Sequence, residues 1–335
     1  MNAFELVRPS DAAAAVAAAA DATTAQQGAD VRFVAGGTTL VDLMKLGVER
    51  PVRVIDVNKL PLAAIEATPD GGLRVGATAR NTDLAYHATV VRDYPVLSQA
   101  ILAGASQQLR NMATTAGNLL QRTRCMYFRD TAMSCNKRVP GSGCDAIGGA
   151  NRSLAILGTS ASCIATNPSD MCVALAALEA TVQVRGPKGE REVAFADFHL
   201  LPGSTPERET VLEPGDLVTS VTLPPPRKGS TQHYLKLRDR VSYEFALASA
   251  AVVIELDGGK IGRARVALGG VGTKPWRAPE AEAVLVGHTP DAALFRKAGE
   301  AALKDAKPQS QNGFKVELAT RCIVHALATA TGVGV

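Results

Sequence analysis

Apolar and polar positions along the first 60 residues switch between two periods. Ser10-Asp11 opens an Ala-rich helical run, VRFVAGG (31–37) is a short apolar stretch ending in paired glycines, TTLVDLMKLGV (38–48) returns to helical spacing and stops at Gly47, and VRVIDV (52–57) is apolar again. Two short apolar strands around a helix predict a parallel βαβ lobe over residues 1–59. AIEATPDGGLRVGA (64–77) then reads as a hairpin turning at PDGG. Helical spacing returns over 82–110. Residues 111–167 lose all periodicity and are rich in Gly, Asn, Ser and Thr; so long an irregular stretch in a compact domain is usually functional.

Downstream, the pattern predicts a helix over 168–180, a hairpin in TVQVRGPKGEREVAF (181–195) and a strand in LVTSVTL (217–223), followed by the breaker cluster PPPRKG (224–229). Beyond it, YLKLRDR (234–240) and ALASAAVVIELDGGKIGRARVALGGV (246–271) read as antiparallel strands, and three helical patterns follow from Pro279. The expected class is α+β: a two-part domain over 1–226, with lobes 1–59 and 60–226, then a small domain over 230–335.

Composition narrows the field. With 46% hydrophobic and 20% charged residues, extended disorder is excluded. No apolar run reaches the roughly 20 residues that span a bilayer. The Ala-rich run lacks the positive flank and Leu/Phe core of a signal peptide, so the expected compartment is the cytoplasm unless the chain is exported folded with a partner. A net charge of +4 without a Lys/Arg block argues against nucleic acid.

Candidate chemistry lies in glycine loops and cysteines. Gly36 and Gly37 at a strand-to-helix turn let backbone amides approach a phosphate, although the GxGxxG spacing of a nicotinamide-binding fingerprint is missing. NMATTAGNLLQ (111–121) is a second such loop, with Thr114, Thr115, Gly117 and Asn118, and TNPSD (166–170) is a third polar segment. Together they suggest a large polyphosphate cofactor. Of six cysteines, Cys172 and Cys322 fall in apolar helical stretches and read as buried thiols. Cys125, Cys135, Cys144 and Cys163 form C-x9-C-x8-C-x18-C among permissive Gly141, Gly143, Gly148 and Gly149. Arg122, Arg124, Arg129, Lys137, Arg138 and Arg152 outnumber Asp130 and Asp145 there, which suits an anionic metal–thiolate centre. The spacing alone leaves iron, zinc and unligated thiols open.

The motifs AGGTTL (35–40), TAGNL (115–119), PSD (168–170) and LGGVGTKPWRA (268–278) stand in the order found in the FAD-binding subunit of the xanthine dehydrogenase and aldehyde oxidoreductase family of molybdenum hydroxylases, which the chain resembles over nearly its whole length. That resemblance implies a FAD pyrophosphate and ribose site at Val34, Ala35, Gly36, Gly37, Thr38, Thr39 and Leu40 and at Thr114, Thr115, Ala116, Gly117 and Asn118. It places Asp170 on the adenosine side, an apolar contact at Leu217 or Val218, and a cation, Lys236, near the isoalloxazine. Asp170 has an alternative role as a helix N-cap, and Lys236 as a solvated strand residue. Ala116 departs from the family's glycine. A bacterial, periplasmic, three-subunit aldehyde oxidoreductase branch carries an extra 4Fe-4S cluster at this place, which the resemblance assigns to Cys125, Cys135, Cys144 and Cys163 in an insertion over 119–165.

By the same resemblance the molybdenum cofactor and 2Fe-2S clusters belong to a large and a small partner subunit, and electrons leave this chain to an external acceptor. Two other classes stay open: a stand-alone flavin oxidase with structural cysteines, and a zinc-stabilised module binding RNA through its basic loop.

Overall fold

The computed structural model describes residues 1–334. Asp11 caps the helix Ala12–Ala18 by accepting from the Ala14 amide at 2.8 Å, and Gly47, at φ +71°, closes the helix Leu40–Lys45. The two apolar strands, Val31–Val34 and Arg53–Asp56, pair in parallel as expected. A third strand, Glu5–Val7, joins the other side of Arg53–Asp56; only three residues long, it leaves no period to read.

The second lobe is a five-stranded antiparallel sheet in the order Ile65–Ala67, Leu73–Gly76, Leu217–Leu223, Thr181–Gly186, Gly189–Ala194. Leu217–Leu223, last in sequence, is central in space, and this long-range pairing closes the lobe. The helical spacing over 82–110 resolves into short helices at Asn81–Tyr86, Ala88–Asp93, Pro95–Ala103 and Gln107–Met112. His87 is extended between the first two, and Pro95 disfavours helical backbone at Tyr94, so the run cannot continue.

The C-terminal part is α+β: an antiparallel sheet of Thr231–Leu237, Ala248–Asp257, Lys260–Gly269 and Trp276–Arg277, covered by helices Pro279–Leu285, Ala292–Ala302 and Phe314–Thr331. Tyr234, Ala251 and Ala267 of this sheet enter the same core as the fully buried helix Asp170–Ala177. Among the described residues no helix is long and apolar enough to cross a membrane.

The irregular stretch carries only short helices, including Met126–Arg129 and Asp145–Gly148. Its exit is gripped by the C-terminal part. Lys315, fully buried, donates to the carbonyls of Ser153 at 2.9 Å, Leu154 at 3.1 Å and Gly270 at 2.7 Å, using all three ammonium donors. Asn312 Nδ2 donates beside it to the carbonyls of Asn151 at 3.3 Å and Leu154 at 3.2 Å. Lys315→Met keeps most of the volume and removes every donor, so folding stability should fall by about 3 kcal/mol or more; equal urea midpoints for variant and wild type would contradict this anchoring role.

Candidate functional site

The strand Val31–Val34 delivers Ala35, Gly36, Gly37 and Thr38 onto the rim of an elongated pocket. Gly36 has no room for a side chain, because a Cβ there would stand 2.0 Å from the Met112 carbonyl oxygen, and Gly37 sits at φ +71°. The glycine loop is therefore pressed against the chain that leads into the helix Thr115–Leu119. Thr114 caps that helix by accepting from the Gly117 amide at 3.3 Å.

Val34 through Leu40, Thr114, Ala116, Gly117, Leu217 and Val218 all line the pocket. Thr115 and Asn118 support it from behind. Thr115 is buried with its amide and hydroxyl on the Ala79 carbonyl, and Asn118 Oδ1 accepts from Ser169 Oγ at 2.7 Å and Gln121 Nε2 at 2.6 Å.

Asp170 and Lys236 meet each other instead of lining this pocket. Lys236 Nζ stands 2.8 Å from Asp170 Oδ2 and also donates to the Ala103 carbonyl, while Tyr234 donates its hydroxyl to Asp170 Oδ1 at 2.5 Å. Burial and the Asp170 carboxylate push the Tyr234 phenol well above its ordinary range. Ser169, not Asp170, is the N-cap, accepting from the Cys172 amide at 3.0 Å. Lys236 is buried, so it is not a solvated strand residue. Tyr234 is a partner the sequence did not flag.

Sequence reasoning also missed the far wall. Arg32 Nη2 lies 2.9 Å from Glu49 Oε2, Arg122 Nη1 lies 2.5 Å from Glu49 Oε1, Arg122 also contacts Glu209, and Lys137 Nζ stands 3.0 Å from Glu209 Oε1. All five side chains line the pocket. Burial pushes Glu209 up, but Arg122 and Lys137 together outweigh it and hold its carboxyl below the usual range. His199 closes the same region: its Nε2 pairs with the Leu119 carbonyl at 3.0 Å, and burial pushes its pKa down to about 4.

Behind this wall the four insertion cysteines share one small core with Leu43, Phe128, Ala146 and Ile164. Cys135 and Cys144 form an antiparallel bridge. Cys125, Cys135 and Cys163 are buried and Cys144 is half-buried. The Ala165 amide donates to Cys163 Sγ at 3.5 Å. Burial raises the Cys125 thiol to about 11. A sulfur atom that is buried yet approached by an amide donor suits a thiolate whose charge a metal centre neutralises. Cys163 lines the pocket as well. Among the described residues no three His, Cys, Asp or Glu side chains form a site for one metal ion. Cys172 and Cys322 are fully buried elsewhere, as expected, and each is pushed up to about 12.

With this geometry in view, residues 2–226 match the model of the FAD binding domain in molybdopterin dehydrogenase, and residues 232–330 match the CO dehydrogenase flavoprotein C-terminal domain. The chain is a FAD-binding subunit of the molybdenum hydroxylase family. It is 53% identical over 315 residues, 92% of this chain and 94% of the relative, to the aldehyde oxidoreductase FAD-binding subunit PaoB of Escherichia coli (strain K12). The carbon monoxide dehydrogenase medium chain of Afipia carboxidovorans (strain ATCC 49405 / DSM 1227 / KCTC 32145 / OM5) is 27% identical over 95% of this chain and 92% of its own. Among solved structures, reconstituted CO dehydrogenase from Oligotropha carboxidovorans superposes with a TM-score of 0.76 at 25% identity, covering 99% of this chain and 98% of that one.

FAD is thus the cofactor of this flavoprotein subunit, and the pocket fits it: a side-chain-free loop at Gly36 and Gly37 faces a capped helix start, with apolar Leu217 and Val218 opposite. In Gly36→Ala the Cβ meets main chain that cannot swing away, so flavin affinity should fall at least about tenfold, an overpacking cost of 1–3 kcal/mol. Full flavin recovery from the purified variant would contradict this.

His199 gives a pH signature. Unfolded chain takes up a proton near pH 6.5 while the folded ring stays neutral to about 4, so stability is constant above pH 6.5 and falls as pH drops from there to about 4, by up to about 3 kcal/mol. His199→Gln, retaining a donor for the Leu119 carbonyl, should flatten that slope in urea melts taken across the range; an unchanged slope would assign it to other groups.

Proposed function

We propose that this subunit is the electron-transfer flavoprotein of a three-subunit, molybdenum-dependent aldehyde oxidoreductase and carries a 4Fe-4S cluster beside its FAD. Electrons from 2Fe-2S clusters in a small partner, fed by a molybdenum centre in a large one, reach FAD here and leave to an external acceptor. FAD supplies a group that takes electrons singly from iron–sulfur partners and passes on one or two. The aldehyde reading rests on the relative that is 53% identical and named for that activity. If the complex is exported folded with a partner, it works in the periplasm.

In this reading Val34–Leu40 and Thr114–Gly117 hold the pyrophosphate and ribose, with Asn118 and Thr115 fixing the helix beneath them. Leu217 and Val218 give the apolar contact. Asp170 and Lys236 act as one buried pair next to Ser169, whose hydroxyl donates to Asn118 Oδ1 behind the pocket. Cys125, Cys135, Cys144 and Cys163 hold the cluster.

The observation that carries the cluster is that Cys125, Cys135, Cys144 and Cys163 pack into one small core, with the Ala165 amide 3.5 Å from Cys163 Sγ.

Metal, sulfide and flavin analysis of the anaerobically purified chain tests the proposal. Expected are FAD with about four irons and four sulfides per chain, co-purification of a large and a small subunit, and bleaching of the flavin when aldehyde is added to that complex. Stoichiometric zinc, or flavin with no iron and aldehyde oxidation without partners, would overturn it.

A further inference from the structure

GATAR (76–80) lies outside both glycine motifs, yet it places a buried hydroxyl on the flavin pocket. Thr78 lines that pocket with 6% of its surface exposed, and among the described residues its Oγ1 has no hydrogen-bond partner. A hydroxyl taken from water without a partner costs free energy, so native proteins rarely leave one unpaired. In a ligand pocket, the few polar groups so placed are the ones that orient the ligand.

The main chain fixes where this hydroxyl stands. The carbonyls on either side of Thr78 are both taken by the second glycine loop, Ala77 accepting from the Ala116 amide and Ala79 from the Thr115 amide, each at 2.9 Å. The Thr78 amide itself donates to the Leu62 carbonyl at 2.9 Å. Gly36 of the first loop packs against Met112 and Ala113, and the Ala113 carbonyl accepts from the Asn81 amide at 2.9 Å. One segment, 112–116, therefore carries the first glycine loop at one end and the neighbours of Thr78 at the other. A threonine hydroxyl supplies one donor, and a hydrogen bond from it to an anionic oxygen is stronger than one to a neutral group.

Resting on the reading that these loops hold the FAD pyrophosphate, we propose that Thr78 is a further cofactor-binding residue, its Oγ1 donating to a phosphate oxygen of FAD. The hydroxyl then serves the loaded protein and does nothing for the empty one. A threonine kept for packing would lose nothing on replacement by valine, which has its shape. One kept for a hydrogen bond within the chain would lose stability with or without flavin.

The test is titration of the flavin-free chain with FAD, together with urea melts of the same material. Thr78→Val should weaken FAD binding about tenfold or more while leaving the flavin-free urea midpoint unchanged or higher. Thr78→Ser, which keeps the donor, should bind FAD as the wild type does. In the FAD-loaded chain, phosphorus NMR should show a pyrophosphate resonance moved by Thr78→Val and not by Thr78→Ser. Wild-type affinity in Thr78→Val, a lowered flavin-free midpoint, or unmoved phosphorus resonances would each overturn the proposal. If Gly36→Ala also binds FAD with wild-type affinity, the failure lies instead in the placement of the cofactor along the glycine loops.

Discussion

The structure depends on a buried chain of charges that runs from Arg32 through Glu49, Arg122 and Glu209 to Lys137. Each link comes from a different part of the fold. Arg32 stands on the parallel sheet, Glu49 follows the helix after the glycine loop, Arg122 and Lys137 belong to the cysteine insertion, and Glu209 lies before the central strand of the antiparallel sheet. Removing Glu49 or Glu209 strands Arg32 or Lys137 away from water, which is far more damaging than losing a surface bridge. The network thus holds the cysteine-bearing insertion against the flavin pocket.

Neutral and ionic contacts hold the other side. The Lys315 cage of three carbonyls fastens the exit of the insertion to the last helix, and the Tyr234–Asp170–Lys236 cluster fastens the C-terminal sheet to the helix beneath the second glycine loop. Cofactor loops and cysteines therefore sit on short irregular segments, yet each is fixed by packed elements on both sides. Precise placement on loops needs such support.

Where the chain repeats a local period, its sequence was readable. The βαβ unit, both hairpins and the C-terminal order of strands then helices follow from patterns of a few residues, and AGGTTL and TAGNL lie on the pocket they suggested. Glu5–Val7 was not readable because three residues carry no period, and the broken run over 81–112 hid behind uniformly helical composition, with Pro95 the local signal available. The charged wall was invisible for another reason: Arg32, Glu49, Arg122, Lys137 and Glu209 are ordinary charged residues far apart in sequence, and only tertiary packing makes them neighbours. Likewise, motif reasoning placed Asp170 and Lys236 one by one and could not show that they pair.

The central claim is that a single wall separates the flavin from an iron centre built by this chain. Diffraction from crystals of the holo-complex at the iron absorption edge tests it most directly. The account expects iron density bounded by Cys125, Cys135, Cys144 and Cys163, FAD lying along Gly36 and Gly37 and the helix start at Thr114, and Lys137 with Glu209 between them. Iron found only in the partner chains, or flavin density outside the pocket that these loops enclose, would contradict it.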